Sequence, residues 1–349
     1  MINENSRQIY RLTLQDYGTI KDFFCPEFSR INLIIGENGT GKTSLMKAMY
    51  SGIKTLEDYK RGNDTRSVND ILAEKLRWTF QVNTVGDLVC KDAGRFLVFR
   101  MDTKSGRLYY GFRNTTQKEF PELLCESDGR KNNSVYIPAK EILSLYSIIL
   151  KSRDIDKSFG FDDTYYDLAK ALQASPKTET ESAAYKKALK QLGGMIGGSV
   201  SLDESRSEWS YKKGRKTISI GMTSEGIKKL AILTRLLSNG YLGEGSVVFI
   251  DELESSLHPS AISKFLEIID GISKAAGIQF FIASHSYFVI KKLCLLAKAD
   301  GEPMTCISLS KDPEHPVTIT DLSEGMPENS IINESIRLYE EEIDLVLED

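Results

Sequence analysis

Residues 36–43 read GENGTGKT, an octet with the residue types that hold a polyphosphate. Its glycines let the backbone close around phosphate oxygens, and the amides opening the following helix point at them. Lys42 would neutralise the β- and γ-phosphates, and Thr43 would offer its hydroxyl to Mg²⁺. The expected nucleotide contacts are Gly36, Glu37, Asn38, Gly39, Thr40, Gly41, Lys42, Thr43 and Ser44. A phosphate loop by itself names neither the base nor the reaction.

Three later groups add chemistry. Residues 247–252, VVFIDE, run four apolar residues into two carboxylates. A strand of this kind beside the phosphate-loop strand would put Asp251 at the Mg²⁺ shell and Glu252 near the attacking water, as its general base. Residues 221–229, GMTSEGIKK, offer Ser224 as an N-cap, with Ile227, Leu230, Ala231 and Leu237 as the buried stripe of the next helix. The free N-terminus of that helix is a second anion site. Residues 280–286, FFIASHS, read as a short buried strand with His285 just past its end and Ser286 capping a helix. Singly, a helix start and a lone histidine are ordinary structural features.

The elements that must carry these residues follow from periodicity. Residues 31–35, INLII, read as a buried strand leading through the glycine loop into a helix with Leu45, Ala48 and Met49 on one face. Between about 76 and 137 the texture is that of antiparallel hairpins, with strands expected at 76–82, 96–101, 108–112 and 134–137 and a turn at 102–106. Residues 140–200 carry short helical patterns broken by glycine and proline. A further hairpin at 207–220 then leads back to alternating helices and strands. A last helix from about residue 329 puts Ile332, Ile336, Tyr339 and Ile343 on one stripe.

In this order the motifs resemble the nucleotide-binding domain of an ABC ATPase: Walker A at 36–43, signature at 223–228, Walker B at 247–252 and switch histidine His285. ESSLHP at 254–259 resembles the family's D-loop, with Pro259 suited to a first helical turn. The wording GENGTGKT and DELESSLHP is similar to the SMC, RecF and overcoming-lysogenization-defect branch, whereas the short TSEG departs from transporter signatures. The resemblance implies an α/β P-loop ABC-type ATPase head, with a mixed sheet core, an antiparallel β subdomain and a helical insert. It covers about residues 1–50 and 220–310, and together with the texture of the middle it gives divisions at 1–140, 141–205, 206–325 and 326–349. It also implies ATP and Mg²⁺ as cofactors, with Lys42, Glu252 and His285 catalytic and Thr43 and Asp251 on the metal. Ser224 and Gly226 of one chain would complete the site of another, so the partner is a second copy in a homodimer or larger oligomer. Lys140 or Glu141 stands where the family's Q-loop acts, and Tyr10 or Tyr17 is the candidate for the adenine.

Composition bounds the function. The 349 residues are 41% hydrophobic and 27% charged with a net charge of −4, as expected for a soluble globular protein without general affinity for DNA or anionic membrane. Nucleic acid would need a local patch, which Lys212, Lys213, Arg215 and Lys216 could supply, although such a turn is commonly a solvated hairpin tip. Five scattered cysteines without a C-x-x-C pair point to reduced thiols, and the absence of an apolar leader or spanning run points to the cytoplasm. By analogy with small members of this branch, the leading expectation is an ATP-driven sensor of anti-phage defence with a separately encoded effector, such as a nuclease or toxin. A RecF-like DNA-repair ATPase is the alternative, and a transporter energy subunit the third.

Overall fold

The computed structural model describes residues 7–91, 95–174, 183–203, 205–312 and 314–347. In chain order the first half comprises β1 (Ile9–Tyr17), β2 (Ile20–Cys25), β3 (Ile31–Gly36), α1 (Lys42–Asp58), α2 (Val68–Phe80), β4 (Phe96–Thr103), β5 (Gly106–Arg113), β6 (Glu122–Ser127) and β7 (Ser134–Ile137). Next come α3 (Tyr146–Asp154), α4 (Asp163–Gln173), α5 (Ala183–Ile196), β8 (Ser199–Asp203), β9 (Glu208–Lys213) and β10 (Lys216–Ser219). The rest comprises α6 (Glu225–Ser238), β11 (Val247–Ile250), α7 (Pro259–Ala276), β12 (Gln279–Ala283), α8 (Tyr287–Asp300), β13 (Thr305–Leu309), β14 (Val317–Asp321) and α9 (Ser330–Leu347).

A six-stranded sheet in the order β14-β13-β3-β12-β11-β7 organises the molecule. Five of its strands are parallel, and β14 closes the edge antiparallel to β13. Strands β3, β11 and β12 are buried on both faces, which is why they read as continuous apolar runs. The two-residue period still sorts their side chains. Leu33, Val248, Ile250, Phe280 and Ile282 enter a core shared with α5, α6, α7 and α8. Ile34, Phe249, Phe281 and Ala283 enter a second core shared with α1 and an antiparallel sheet of order β2-β1-β4-β5-β6. Helix α1 therefore lies between two sheets. Gly52 lets it approach β4, because a Cβ there would stand 2.8 Å from the Phe99 ring.

The mixed sheet, the antiparallel sheet and the helices α3–α5 agree with the expected fold class. Several local expectations are corrected. Residues 76–82 are not a strand but the end of α2 and its cap. Ser67 accepts a hydrogen bond from the Asp70 amide, and Leu72, Leu76 and Thr79 are buried at helical spacing, so a thirteen-residue helical period outweighs the β-propensity of a seven-residue window. Residues 134–137 do not end the antiparallel sheet, because β7 pairs in parallel with β11. The hairpin of β9 and β10 gains a third strand, β8. The expected last helix is α9, with Ile332 buried and Ile336, Tyr339 and Ile343 exposed. The five cysteines are free, and among the described residues no helix is long and apolar enough to cross a membrane.

Candidate nucleotide site

The parallel strands β3, β11 and β12 and the neighbouring β7 all deliver polar residues at their C-terminal ends, the crevice where open α/β sheets bind ligands. At the end of β3 the chain turns through Gly36, Gly39 and Gly41 with φ of 147°, 82° and 99°, left-handed values that residues with a Cβ avoid. A Cβ on Gly36 would also lie 2.3 Å from the Leu309 carbonyl oxygen of β13. The loop is therefore fixed by the neighbouring strand as well as by its own glycines. Residues 37–39 are exposed, and Gly41 is the N-cap of α1 with no side chain over its amides. Ser44 follows in the first turn of α1.

The Lys42 ammonium folds back over the loop and donates to the carbonyls of Gly36 at 2.7 Å and Glu37 at 2.8 Å. Burial pushes it below its ordinary range, against the pull of Asp251, Glu252, Glu254 and Glu37. Thr43 Oγ1 donates to Asp251 Oδ2 at 3.0 Å, so the loop and the end of β11 meet through the two residues expected to share Mg²⁺. A hydroxyl and a carboxylate side by side are hard oxygen donors, and a set this small leaves coordination positions for phosphate oxygens and water. The donor chemistry fits that cation.

Glu252 follows in a left-handed conformation, φ 45°, unusual for a residue with a side chain and common at functional turns. It lines an open cleft of ≈590 Å³ with Lys140, Glu141, Glu225, Lys229 and Ser255. Glu141 pairs with Lys228 at 3.1 Å, whereas Lys140 is exposed. His285 stands just beyond β12, its ring half-exposed. Glu254 accepts from the His285 amide at 2.7 Å and lies 3.3 Å from Nδ1. Ser286 occupies the N-cap position of α8 without a capping hydrogen bond from its side chain.

Ser224 and Gly226 stand elsewhere. Ser224 caps α6 by accepting from the Ile227 amide, and it is exposed. A Cβ on Gly226 would meet the Ser256 carbonyl oxygen at 2.7 Å, so the start of α6 packs on the turn after Glu252. Among the described residues no hydrogen bond or ion pair joins either one to the glycine loop. Tyr17 is corrected as an adenine contact: it is 1% exposed and packs against Phe80 and Phe99 in the core. Tyr10 neighbours Ile9, whose amide is bonded to Gln279 at the start of β12, the end away from His285. The residues of the first hairpin that do face the loop are Thr19 and Ile20, both 3.2 Å from a Cβ on Gly41.

Three contributors escaped the sequence reading. Tyr136 of β7 is fully buried and donates its hydroxyl to Asp251 Oδ2 at 2.9 Å; burial, then the Asp251 charge, raises it well above the ordinary tyrosine range and keeps it a donor. Glu254 was legible only as the first letter of ESSLHP. Lys229 was legible only as one of two lysines on a helix with a buried face. It is 4% exposed, and burial pushes its ammonium down to about 8.

The chain has the fold of a P-loop ATPase head, similar to that of SMC heads. The structure aligns with an SMC head bound to the C-winged helix domain of ScpA at TM-score 0.53 and 13% identity, covering 91% of this chain and 98% of that one. It aligns likewise with an SMC head domain with an extended coiled coil bound to the C-terminal domain of ScpA derived from Pyrococcus furiosus, at TM-score 0.50 and 13% identity, covering 96% and 99%. Residues 31–291 match the AAA_21 family, described as "AAA domain, putative AbiEii toxin, Type IV TA system", and the chain belongs to that family. It is also 29% identical over 107 residues to the Methanocaldococcus jannaschii "Uncharacterized protein MJECL11", over 30% of this chain and 89% of that protein.

Proposed function

We propose that this chain hydrolyses ATP and uses the cycle as a switch between associated and separate copies. The observation that carries the reading is the 3.0 Å contact between Thr43 and Asp251, which joins phosphate loop and acidic strand end at one point. Residues 36–44 hold the phosphates, with Lys42 swinging from its two carbonyls to the β- and γ-oxygens. Mg²⁺ on Thr43 and Asp251 would neutralise charge on the same phosphates. Glu252 takes a proton from the attacking water, and His285, oriented by Glu254, faces the γ-phosphate end.

Gly226 packs on the 254–259 turn and Ser224, two residues before it, is exposed, which supports a role on the nucleotide of a second copy. ATP is then held between two chains, and loss of the γ-phosphate releases them. The cytoplasm is the compartment in keeping with this cycle. The output we assign is a defence switch acting on a separately encoded effector. The family description, with its toxin and TA system, is in line with a paired gene product. Purified chain should turn over ATP with Mg²⁺, and Glu252→Gln should retain ATP in an associated species. Glu252→Gln turning over ATP at the normal rate would remove the general-base assignment.

One observation favours a second reading, a RecF-like ATPase working on DNA. Lys212, Lys213, Arg215 and Lys216 are exposed around the β9–β10 turn, and among the described residues none has an ion-pair partner. Salt-dependent binding to duplex, lost when all four are neutralised, is its test. ATP turnover indifferent to DNA would count against it.

A further inference from the structure

An ammonium is costly to bury unless its protons find acceptors. Lys229, in the second turn of α6, is buried with its Nζ on three oxygens of one turn: the Glu252 carbonyl at 2.7 Å, Ser255 Oγ at 3.2 Å and the Asp251 carbonyl at 3.4 Å. That turn holds Glu252 at φ 45°, a conformation an L-residue keeps only where its surroundings impose it. Three residues before Lys229, Gly226 packs on the Ser256 carbonyl, so α6 grips the 251–256 turn at two points one helical turn apart. The same helix begins at Ser224, which faces solvent.

We propose that Lys229 is a positioning residue, whose ammonium holds the left-handed turn that aims the Glu252 carboxylate and ties that aim to the seating of the α6 N-terminus. The inference rests on the reading of Glu252 as general base and of Ser224 as a contact to a second copy's nucleotide. A lysine that merely fills a packing position would be replaceable by an apolar chain of similar length. A positioning lysine would not be, because the two carbonyls and the Ser255 hydroxyl would lose their donor while the phosphate loop stayed intact.

Lys229→Met is the test, measured as kcat, KM for ATP, nucleotide affinity and ATP-dependent association. The expected result is a 30- to 100-fold fall in kcat, with KM, affinity and association within threefold of wild type. In a Glu252→Gln background the same change should lower the residual rate less than threefold, because both substitutions remove one function. An unchanged kcat, or an equal fall in the Glu252→Gln background, overturns the inference alone. Glu252→Gln hydrolysing at the wild-type rate overturns the general-base reading and this inference with it. If Lys229→Met does not fold, Ser255→Ala removes one acceptor and keeps the lysine. A fall in kcat of threefold or more at constant KM then supports the proposal, and a smaller change overturns it.

Discussion

The Tyr136 hydroxyl donates to Asp251 Oδ2 at 2.9 Å, the oxygen that also accepts from Thr43 at 3.0 Å. Asp251 is thereby held from β7 on one side and α1 on the other, with its carboxylate oriented before any ligand arrives. Partners behind a metal ligand typically set metal affinity or activity by 10- to 100-fold. Tyr136→Phe keeps the ring packing against Tyr50 and Phe249 and removes only the hydroxyl. It should raise the Mg²⁺ concentration for half-maximal ATP turnover about tenfold. A Mg²⁺ titration identical to wild type would show that Thr43 alone orients Asp251.

Lys42→Ala should abolish nucleotide binding, read by calorimetry, since it removes the cation expected at the β- and γ-phosphates. Mixing it with Ser224→Arg protein tests the shared site. Each variant alone should be inactive, and the mixture should recover activity through mixed dimers carrying one intact composite site. A mixture as inactive as its components would count against the composite site.

Glu57 ties the phosphate-loop helix to β7. Its side chain is fully buried, accepts from Lys54 at 2.7 Å and the Ser134 amide at 2.8 Å, and faces Arg130 at 3.6 Å. Removing one partner from a buried ionic network leaves the others uncompensated, so Glu57→Ala should cost about 3–5 kcal/mol of unfolding free energy. Urea denaturation measures it, and a loss below about 1 kcal/mol would mean that water reaches Lys54 and Arg130 more readily than their burial implies.

Asp163, at the first turn of α4, gives a pH signature. It is buried, and among the described residues neither of its carboxylate oxygens has a hydrogen-bond partner, although Arg153 lies 3.2 Å and Lys75 3.4 Å away. Burial, only partly offset by Lys75, raises its carboxyl from an ordinary 3.8 to about 6. The folded state thus holds a proton that the unfolded chain has released, and this group lowers stability as pH rises from about 4 to about 6. Asp163→Asn should gain stability relative to wild type as pH rises from about 4 to about 6. A stability difference independent of pH would mean that Asp163 is already charged at pH 4.

The sequence by itself determined the chemistry available to this protein. The octet at 36–43, the acidic pair after VVFI, the Ser224 cap and the histidine after FFIAS are local patterns, and each is a consequence of short-range backbone and periodicity rules. The parallel core strands were legible for the same reason, since burial on both faces leaves unbroken apolar runs. Residues 76–82 and 134–137 were misread because short apolar windows do not say what lies across from them. A longer helical register decided the first, and pairing with β11 decided the second.

Only the tertiary structure decided which distant residues meet. Tyr136 and Asp251 are 115 positions apart, and Lys229 reaches Glu252 across 23. Such contacts depend on strand order and on the depth at which a helix packs, quantities that no local spacing encodes. The phosphate loop was visible from its own eight residues. The donors that hold its acidic partner in place became visible only once β7, β11 and α6 were folded against one another.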